Sequence, residues 1–147
     1  MPNFRWLKFN AIDQYLLQAI LRLRQNIFII EQQSIYADID GYDENCWHLL
    51  MQDEQKLAGY LRIRPTNDVL KIERVALEVA WRDQQLGKGL MQRAMQKCQQ
   101  IDPVGKKAIE LAAQTSALSF YQRFGFEPIG EPFDDGGIKH QMMRFSK

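Results

Sequence analysis

The sequence predicts an α/β domain (α+β in some schemes) built on a mixed β-sheet of about seven strands, flanked by about four helices. Two apolar stretches of strand length, at 69–77 and 108–113, enclose a long segment with helical periodicity. In that segment Leu86, Leu90 and Ala94 recur every three or four residues, which is typical of an amphipathic helix with one apolar face. A strand, a helix and a second strand in this order favour parallel pairing through a crossover.

The segments upstream alternate between strand and turn signals. Residues 4–9 alternate aromatic side chains, as in a first strand, and Asp13 is a suitable N-cap for one or two helices that end near residue 31. Short apolar runs at 47–52 and 57–64, joined by a polar turn, predict a hairpin. This hairpin leads into the strand at 69–77 as an antiparallel meander, so the predicted sheet is mixed.

The remaining elements are predicted downstream of the second parallel strand. Residues 117–124 predict a short helix, and residues 126–130 with 139–145 predict a hairpin that closes around a loop at 132–137. No repeat, linker or low-complexity tract interrupts the sequence, so we expect residues 1–147 to form one domain.

Composition excludes several classes of protein. A chain of 147 residues with 46% apolar residues can bury about two thirds of its extended surface. A formal charge of +1 provides no broad positive field, so we expect no nucleic-acid partner. No segment has the length and apolarity of a signal peptide or a membrane span, so we expect a cytoplasmic protein with no membrane partner. Cys46 and Cys98 are too few for a disulfide framework and are predicted to be reduced.

The start of the long helix is predicted to bind an anion. Gly87 and Gly89 lie there, where the first amide N–H groups of a helix have no internal partner and the peptide dipoles add about half a positive charge. Phosphate satisfies both, and glycine allows its close approach. The phosphate-loop pattern is absent because Gly89 follows Gly87-Lys88 at the position where Ser or Thr would bind Mg²⁺. The dinucleotide pattern also fails, since its third glycine would fall at Gln92.

The segment 84–89, Gln-Gln-Leu-Gly-Lys-Gly, resembles the pyrophosphate-binding motif Q/R-x-x-G-x-G/A of the GNAT superfamily of acetyl-CoA-dependent N-acetyltransferases. The segment 120–126, Phe-Tyr-Gln-Arg-Phe-Gly-Phe, resembles the tyrosine-bearing helix of the same superfamily. The order strand, pyrophosphate turn, helix, strand, tyrosine helix is more specific than either motif alone. Further similarities at 28–32, 38–43 and 135–140 indicate the ElaA-like family.

This resemblance implies a splayed sheet and acetyl-CoA as cosubstrate, with no metal. The backbone of the first parallel strand would pair with the pantetheine arm, and the turn would hold the diphosphate with charge-assisted donors nearby. The implied coenzyme-binding residues are Val75, Ala76, Leu77, Arg82, Gln84, Gln85, Leu86, Gly87, Lys88, Gly89, Gln114 and Tyr121. Val75, Ala76 and Leu77 also have a purely structural interpretation as a buried strand. Arg82, Gln84 and Lys88 have one as a basic, solvated helix start.

Acetyl transfer to an amine requires a base for the amine and an acid for the departing thiolate. Tyr121 is predicted as general acid, because it matches the tyrosine of the family and a phenol of pKa near 10 is protonated at neutral pH. Glu73, Glu110, His48 and His140 are candidates for the base. We rank Glu73 and His140 first and predict both as catalytic.

The acidic segment after the first helix is predicted to bind the acceptor. Glu31, Asp38 and Asp40 could attract a cationic amine, although a solvated loop is the simpler interpretation. The segment lacks the terminal glutamate of a calcium loop. Cys46 and His48 have no identifiable orienting residue for nucleophilic catalysis, and with Cys98 they supply too few ligands for zinc.

The sequence therefore predicts direct transfer of an acetyl group from acetyl-CoA to a primary amine. A noncatalytic acyl-CoA-binding or sensing module is the alternative. The identity of the acceptor is left open, and so is the choice between monomer and homodimer.

Overall fold

The computed structural model describes residues 2–146. The strands are β1 (Asn3–Lys8), β2 (Trp47–Asp53), β3 (Lys56–Pro65), β4 (Val69–Leu77), β5 (Ala108–Gln114), β6 (Phe126–Pro128), β7 (Phe133–Asp135) and β8 (Ile138–Phe145). They form one sheet in the order β1-β2-β3-β4-β5-β8-β6, and β7 also pairs with β8. The pair β4–β5 is parallel and the other pairs are antiparallel. The mixed α/β class predicted from the sequence is confirmed.

Three α-helices accompany the sheet in the described residues: α1 (Gln14–Arg24), α2 (Leu86–Ile101) and α3 (Leu118–Gln122). A π-helical segment, Gln25–Glu31, continues α1 to the end predicted from the sequence. The predicted N-cap is confirmed, because the Asp13 carboxylate accepts a hydrogen bond of 2.8 Å from the Leu16 backbone N–H. Across residues 2–146, every helix falls short of the length and apolarity that crossing a membrane requires.

The long helices cover opposite faces of the sheet. Successive residues of a strand point to opposite sides, and the two faces accordingly form separate apolar clusters. Leu49 packs with Leu90 and other residues of α2, whereas its neighbour Leu50 packs with Ile20 and other residues of α1. Both faces of the central strands are therefore buried, which explains their nearly continuous apolar sequences.

The C-terminal region differs from the sequence prediction. β7 falls in the segment 132–137 that was predicted as a loop, and β6 ends at Pro128. β7 has only three residues, all exposed, so it carries no alternating apolar pattern. Its pairing with β8 brings Asp135 opposite Ile138 across a turn of two glycines. The structure therefore contains the β7–β8 hairpin in addition to the predicted pairing of β6 with β8.

Candidate active site

The sheet opens between its two parallel strands. Only three residue pairs join β4 to β5, from Val69 with Ala108 to Lys71 with Glu110. Beyond these pairs the strands diverge, and a cavity of about 410 Å³ lies between them. Among the described strands, the rest of β4 has no partner on this side. The splayed sheet implied by the resemblance is confirmed.

Several residues predicted from the sequence lie together in the wall of this cavity. They are Glu73, Val75, Leu77, Arg82, Gln114, Tyr121 and His140. Ala76 is buried in the α1 cluster on the other side of β4. The predicted turn at 84–89 lies outside the wall, as do Glu31, Asp38 and Asp40. The structure therefore brings the predicted acid and both predicted bases to one cavity.

A β-bulge at Arg74 accompanies the divergence of β4. The register between β3 and β4 shifts there, and Arg74 adopts a left-handed φ of 59°. This conformation costs a non-glycine residue about 1–2 kcal/mol. The Arg74 Nε lies 2.8 Å from a carboxylate oxygen of Asp38 in an ion pair that is not aligned as a hydrogen bond, and Nη2 lies 3.1 Å from Asp40. Bulges bend strands, so this one helps to turn β4 away from β5.

The start of α2 is the segment predicted to bind an anion. Its first backbone hydrogen bond runs from the Gly89 N–H to the Gln85 carbonyl, so the amides before Gly89 have no acceptor within the helix. A Cβ at Gly87 would lie 3.6 Å from the nearest atom, in Phe120, and a Cβ at Gly89 would lie 3.4 Å from Phe4. These are ordinary contacts, so packing inside the protein does not require either glycine.

Arg82 and Glu31 were predicted to bind different partners, and the structure pairs them with each other. The guanidinium donates two hydrogen bonds, of 2.7 and 2.9 Å, to the two carboxylate oxygens. A third bond of 2.8 Å runs from Arg82 Nε to the carbonyl oxygen of Leu77 at the end of β4. The hydrogen bonds from Arg82 lower the pKa of Glu31. Arg82 therefore ties the end of the π-helical segment to the end of β4.

Tyr121 lies on α3 and faces the cavity. Its ring packs edge-on against Phe120, with centroids 5.0 Å apart, and against Phe126. Among the described residues the structure gives its hydroxyl no hydrogen-bond partner. Burial raises the pKa of Tyr121 to about 12. The side chain is therefore a protonated phenol at neutral pH with a free donor.

Glu73 is held by two arginines. Arg64 donates hydrogen bonds of 2.9 Å to both carboxylate oxygens, and Arg62 Nη2 donates another of 2.9 Å. Burial disfavours the charged form of Glu73, yet the hydrogen bonds from Arg64 and the charges of both arginines outweigh it and lower its pKa. A carboxylate stabilised in this way is a poor acceptor of protons.

His140 lies on β8 with one ring nitrogen fixed and the other without a hydrogen-bond partner among residues 2–146. Nδ1 lies 2.7 Å from the carbonyl oxygen of Ile138. Since a carbonyl oxygen only accepts, Nδ1 carries the proton and Nε2 of the neutral ring keeps its lone pair. The ring stacks on Phe133 with centroids 5.9 Å apart. Of the two predicted bases, His140 therefore has the geometry of a proton acceptor.

The acidic loop is bound to arginines of the core. Arg24 donates to Asp38 and Asp43, and Arg62 donates to Asp40, Asp43 and Glu73; both guanidiniums are inaccessible to solvent. Burial opposes ionisation of Asp40, but the hydrogen bonds from Arg62 and from a backbone N–H lower its pKa to about 2. Asp38 and Asp40 therefore fix the loop, and their contact with the acceptor stays a prediction.

Arg24 and Arg62 were not predicted from the sequence, although both carry a signal. Arg24 falls on the helix face that carries Ile20 and Ile27, and Arg62 interrupts the apolar run of β3. A charged residue at such positions is rarely buried without a partner, so each indicates an internal ion pair. Gln32, Ser34 and Tyr36, which line the cavity, carry no comparable signal.

Comparisons with known proteins agree with this geometry. The family model described as "Acetyltransferase (GNAT) domain" matches residues 17–147. Protein ElaA of Escherichia coli strain K12 is 36% identical over 129 residues, which cover 84% of this chain and 83% of that protein.

Solved structures give the same result. The crystal structure of Escherichia coli ElaA superposes with a TM-score of 0.92 and 32% identity, covering 98% of this chain and 99% of that one. An acyl-CoA N-acyltransferase from Pseudomonas aeruginosa superposes with a TM-score of 0.92 and 28% identity, covering 99% and 100%. The similarity to ElaA that the sequence indicated is confirmed. The chain belongs to the GNAT family, whose members are acyl-CoA-dependent acyltransferases.

Proposed function

We propose that this protein transfers the acetyl group of acetyl-CoA directly to a primary amine, with His140 as general base and Tyr121 as general acid. The observation that carries the proposal is the convergence of these two side chains on the cavity between β4 and β5. His140 pairs with Gln114, the last residue of β5, and α3 with Tyr121 follows shortly after it. A free phenol donor and a free imidazole acceptor in one cavity favour an enzyme over a sensing module.

The residues around the cavity fit the coenzyme. The edge of β4 at Val75–Leu77 has no strand partner on the cavity side and offers backbone groups to the amides of a pantetheine arm. The amides at the start of α2 suit a diphosphate, and no Cβ at Gly87 or Gly89 obstructs it. Lys88 is exposed at the same turn and adds positive charge. Acetyl-CoA, when bound, supplies a thioester carbonyl that an amine can attack.

His140 and Tyr121 divide the proton transfers between them. An alkylamine of pKa about 10.4 needs about 4.6 kcal/mol for deprotonation at pH 7, and Nε2 of His140 is the acceptor for that proton. Tyr121 donates its proton to the departing thiolate.

Transfer is direct because neither cysteine is suited to form an acyl-enzyme. Burial raises the pKa of Cys46 to about 11 and that of Cys98 to about 12. Neither side chain lines the cavity. Both thiols are therefore protonated at neutral pH and lie away from the place where a thioester would react.

Incubation with acetyl-CoA and a panel of primary amines tests the proposed function. We expect release of free thiol that depends on the amine, together with an acetylated amine of the corresponding mass. A noncatalytic module would bind coenzyme A in calorimetry yet release no thiol with any amine. If calorimetry detects no binding of coenzyme A, the assignment of acetyl-CoA as cosubstrate is wrong.

Gly87→Ala separates coenzyme binding from stability. The new methyl group fits against Phe120, and alanine exceeds glycine in helix propensity by up to about 1 kcal/mol, so we expect an unchanged or higher melting temperature. The same methyl group would stand where the diphosphate approaches, so calorimetry should show an affinity for coenzyme A lower by about tenfold or more, or 1.4 kcal/mol. Gln96→Ala, at an exposed position farther along α2, is the matched control. Wild-type affinity in Gly87→Ala would place the diphosphate elsewhere.

A further inference from the structure

One hydrogen bond joins two loops that lie far apart in the sequence. The Ser34 hydroxyl donates to the Gly136 carbonyl oxygen at 2.6 Å, across 102 positions of the chain. Ser34 is only 3% exposed, so this bond is shielded from water. It connects the segment after the π-helical turn to the turn of the β7–β8 hairpin. We call the pair Ser34–Gly136 the latch.

The latch leaves no room for a side chain at Gly136. A Cβ there would lie 2.2 Å from the Ser34 Oγ and 3.5 Å from the Tyr36 Cβ, and the residue has a left-handed φ of 61°. The adjacent Gly137 has a φ of 83°, yet its Cβ would meet no heavy atom within 4 Å. Both glycines suit the left-handed backbone conformation of the turn, but only at Gly136 would a side chain collide with the other loop.

Both latched loops carry cavity residues. Ser34 and Tyr36 line the cavity from one loop, and Asp135, Ile138 and His140 line it from the hairpin. The first loop is itself anchored, since the buried Arg24 donates to the side chain and the backbone carbonyl of Asp38. Tyr36 reinforces this anchor with a hydrogen bond of 2.7 Å to Asp38. The latch therefore connects the hairpin that carries His140 to a rigid part of the core.

We infer that the latch joins the two loops into a continuous wall around one end of the cavity and positions His140. The latch thereby selects unbranched primary amines, which enter end-on, over bulky ones. This inference rests on the proposed function. A volume of about 410 Å³ is near the lower end of the range for small-molecule sites, about 300–1,000 Å³. Because the cavity must hold the acetyl end of the coenzyme as well, little width is left for the acceptor. Ser34 acts as a positioning residue through the hairpin.

One linear amine, n-butylamine, and one cyclic amine, cyclohexylamine, test this selection. In Ser34→Ala and in Gly136→Ala we expect the ratio of kcat/KM for n-butylamine over cyclohexylamine to fall by about tenfold or more, a typical effect of altering a pocket wall. Hydrolysis of acetyl-CoA without amine should rise as water gains access, and the KM for acetyl-CoA should be unchanged. Gly137→Ala is the matched control, because it introduces the same backbone strain without the contact. A wild-type ratio in both latch variants overturns the inference.

Hydrogen exchange makes the test independent of turnover. In Ser34→Ala we expect faster amide exchange over residues 133–141 than in the wild type, while α2 is unchanged. Unchanged exchange in the hairpin overturns the latch even if the enzyme is active. If the wild type acetylates neither probe but the hairpin exchanges faster in the variant, the loop connection stands and amine selection by the latch is overturned. Failure of the full amine panel, by contrast, overturns the proposed function.

Discussion

Tyr121→Phe is expected to lower kcat by about 10²- to 10⁴-fold, the usual contribution of a general acid, without weakening binding of acetyl-CoA. The variant removes one hydroxyl that faces the cavity and has no protein partner among the described residues. Its ring keeps the edge-on contacts with Phe120 and Phe126. Stability should therefore change little, since no buried hydrogen bond is broken. Steady-state kinetics of thiol release and calorimetry with coenzyme A measure the two effects separately.

Tyr15→Phe is the control for this experiment. Tyr15 is 79% exposed on α1, and its substitution removes the same hydroxyl far from the cavity wall. We expect wild-type kinetics from it. Turnover near the wild-type rate in Tyr121→Phe would assign the proton donor to another group or to water, while leaving coenzyme binding as proposed.

Arg62→Leu is expected to reduce the free energy of unfolding by about 3–5 kcal/mol, the usual cost of removing one partner from a buried ion pair. Arg62 has no accessible surface and donates to three carboxylates, those of Asp40, Asp43 and Glu73. Leucine fills part of the space but leaves these three acids, of which Asp43 is buried and the other two are partly buried, with fewer cations. Since small domains are stable by about 5–15 kcal/mol, the loss is a large fraction of the total. Denaturant unfolding at neutral pH measures it.

Arg5→Leu is the matched control for Arg62→Leu. Arg5 lies exposed on β1 and donates one hydrogen bond, to Gln52. We expect its replacement to leave the unfolding midpoint nearly unchanged. A loss of less than about 1 kcal/mol in Arg62→Leu would show that the remaining arginines satisfy the three acids, and would contradict the role given to Arg62.

The core of the fold follows from local patterns in the sequence. β4 occupies Val69–Leu77, the stretch predicted from its apolar run, and α2 begins at Leu86, where the helical period begins. These elements were predictable because each buries a face whose period is set by its own backbone. β7 was not predictable, because the formation of a three-residue exposed strand depends on pairing with β8 rather than on the pattern of its own residues.

The candidate site was predictable where a local motif determines it. Tyr121 and the glycine turn were proposed from contiguous residues. The contacts of Glu73 were not predicted, because Arg62 and Arg64 reach it across a strand pair. The same holds for Ser34 and Gly136, which are brought together only by the complete fold. Residues that act through partners distant in the sequence leave no pattern in a single chain.

The three-pair contact between β4 and β5 divides the molecule into two half-sheets. One is the meander β1–β4 and the other is the group β5–β8. The antiparallel ladders of the meander and the ladder between β5 and β8 are longer than this contact. A short seam of this kind can act as a pivot, because a slight rotation about it changes the width of the cleft while both ladders stay intact. The backbone N–H and C=O groups of β4 that lack a strand partner along the cleft are then the places where an extended ligand could pair as a substitute strand.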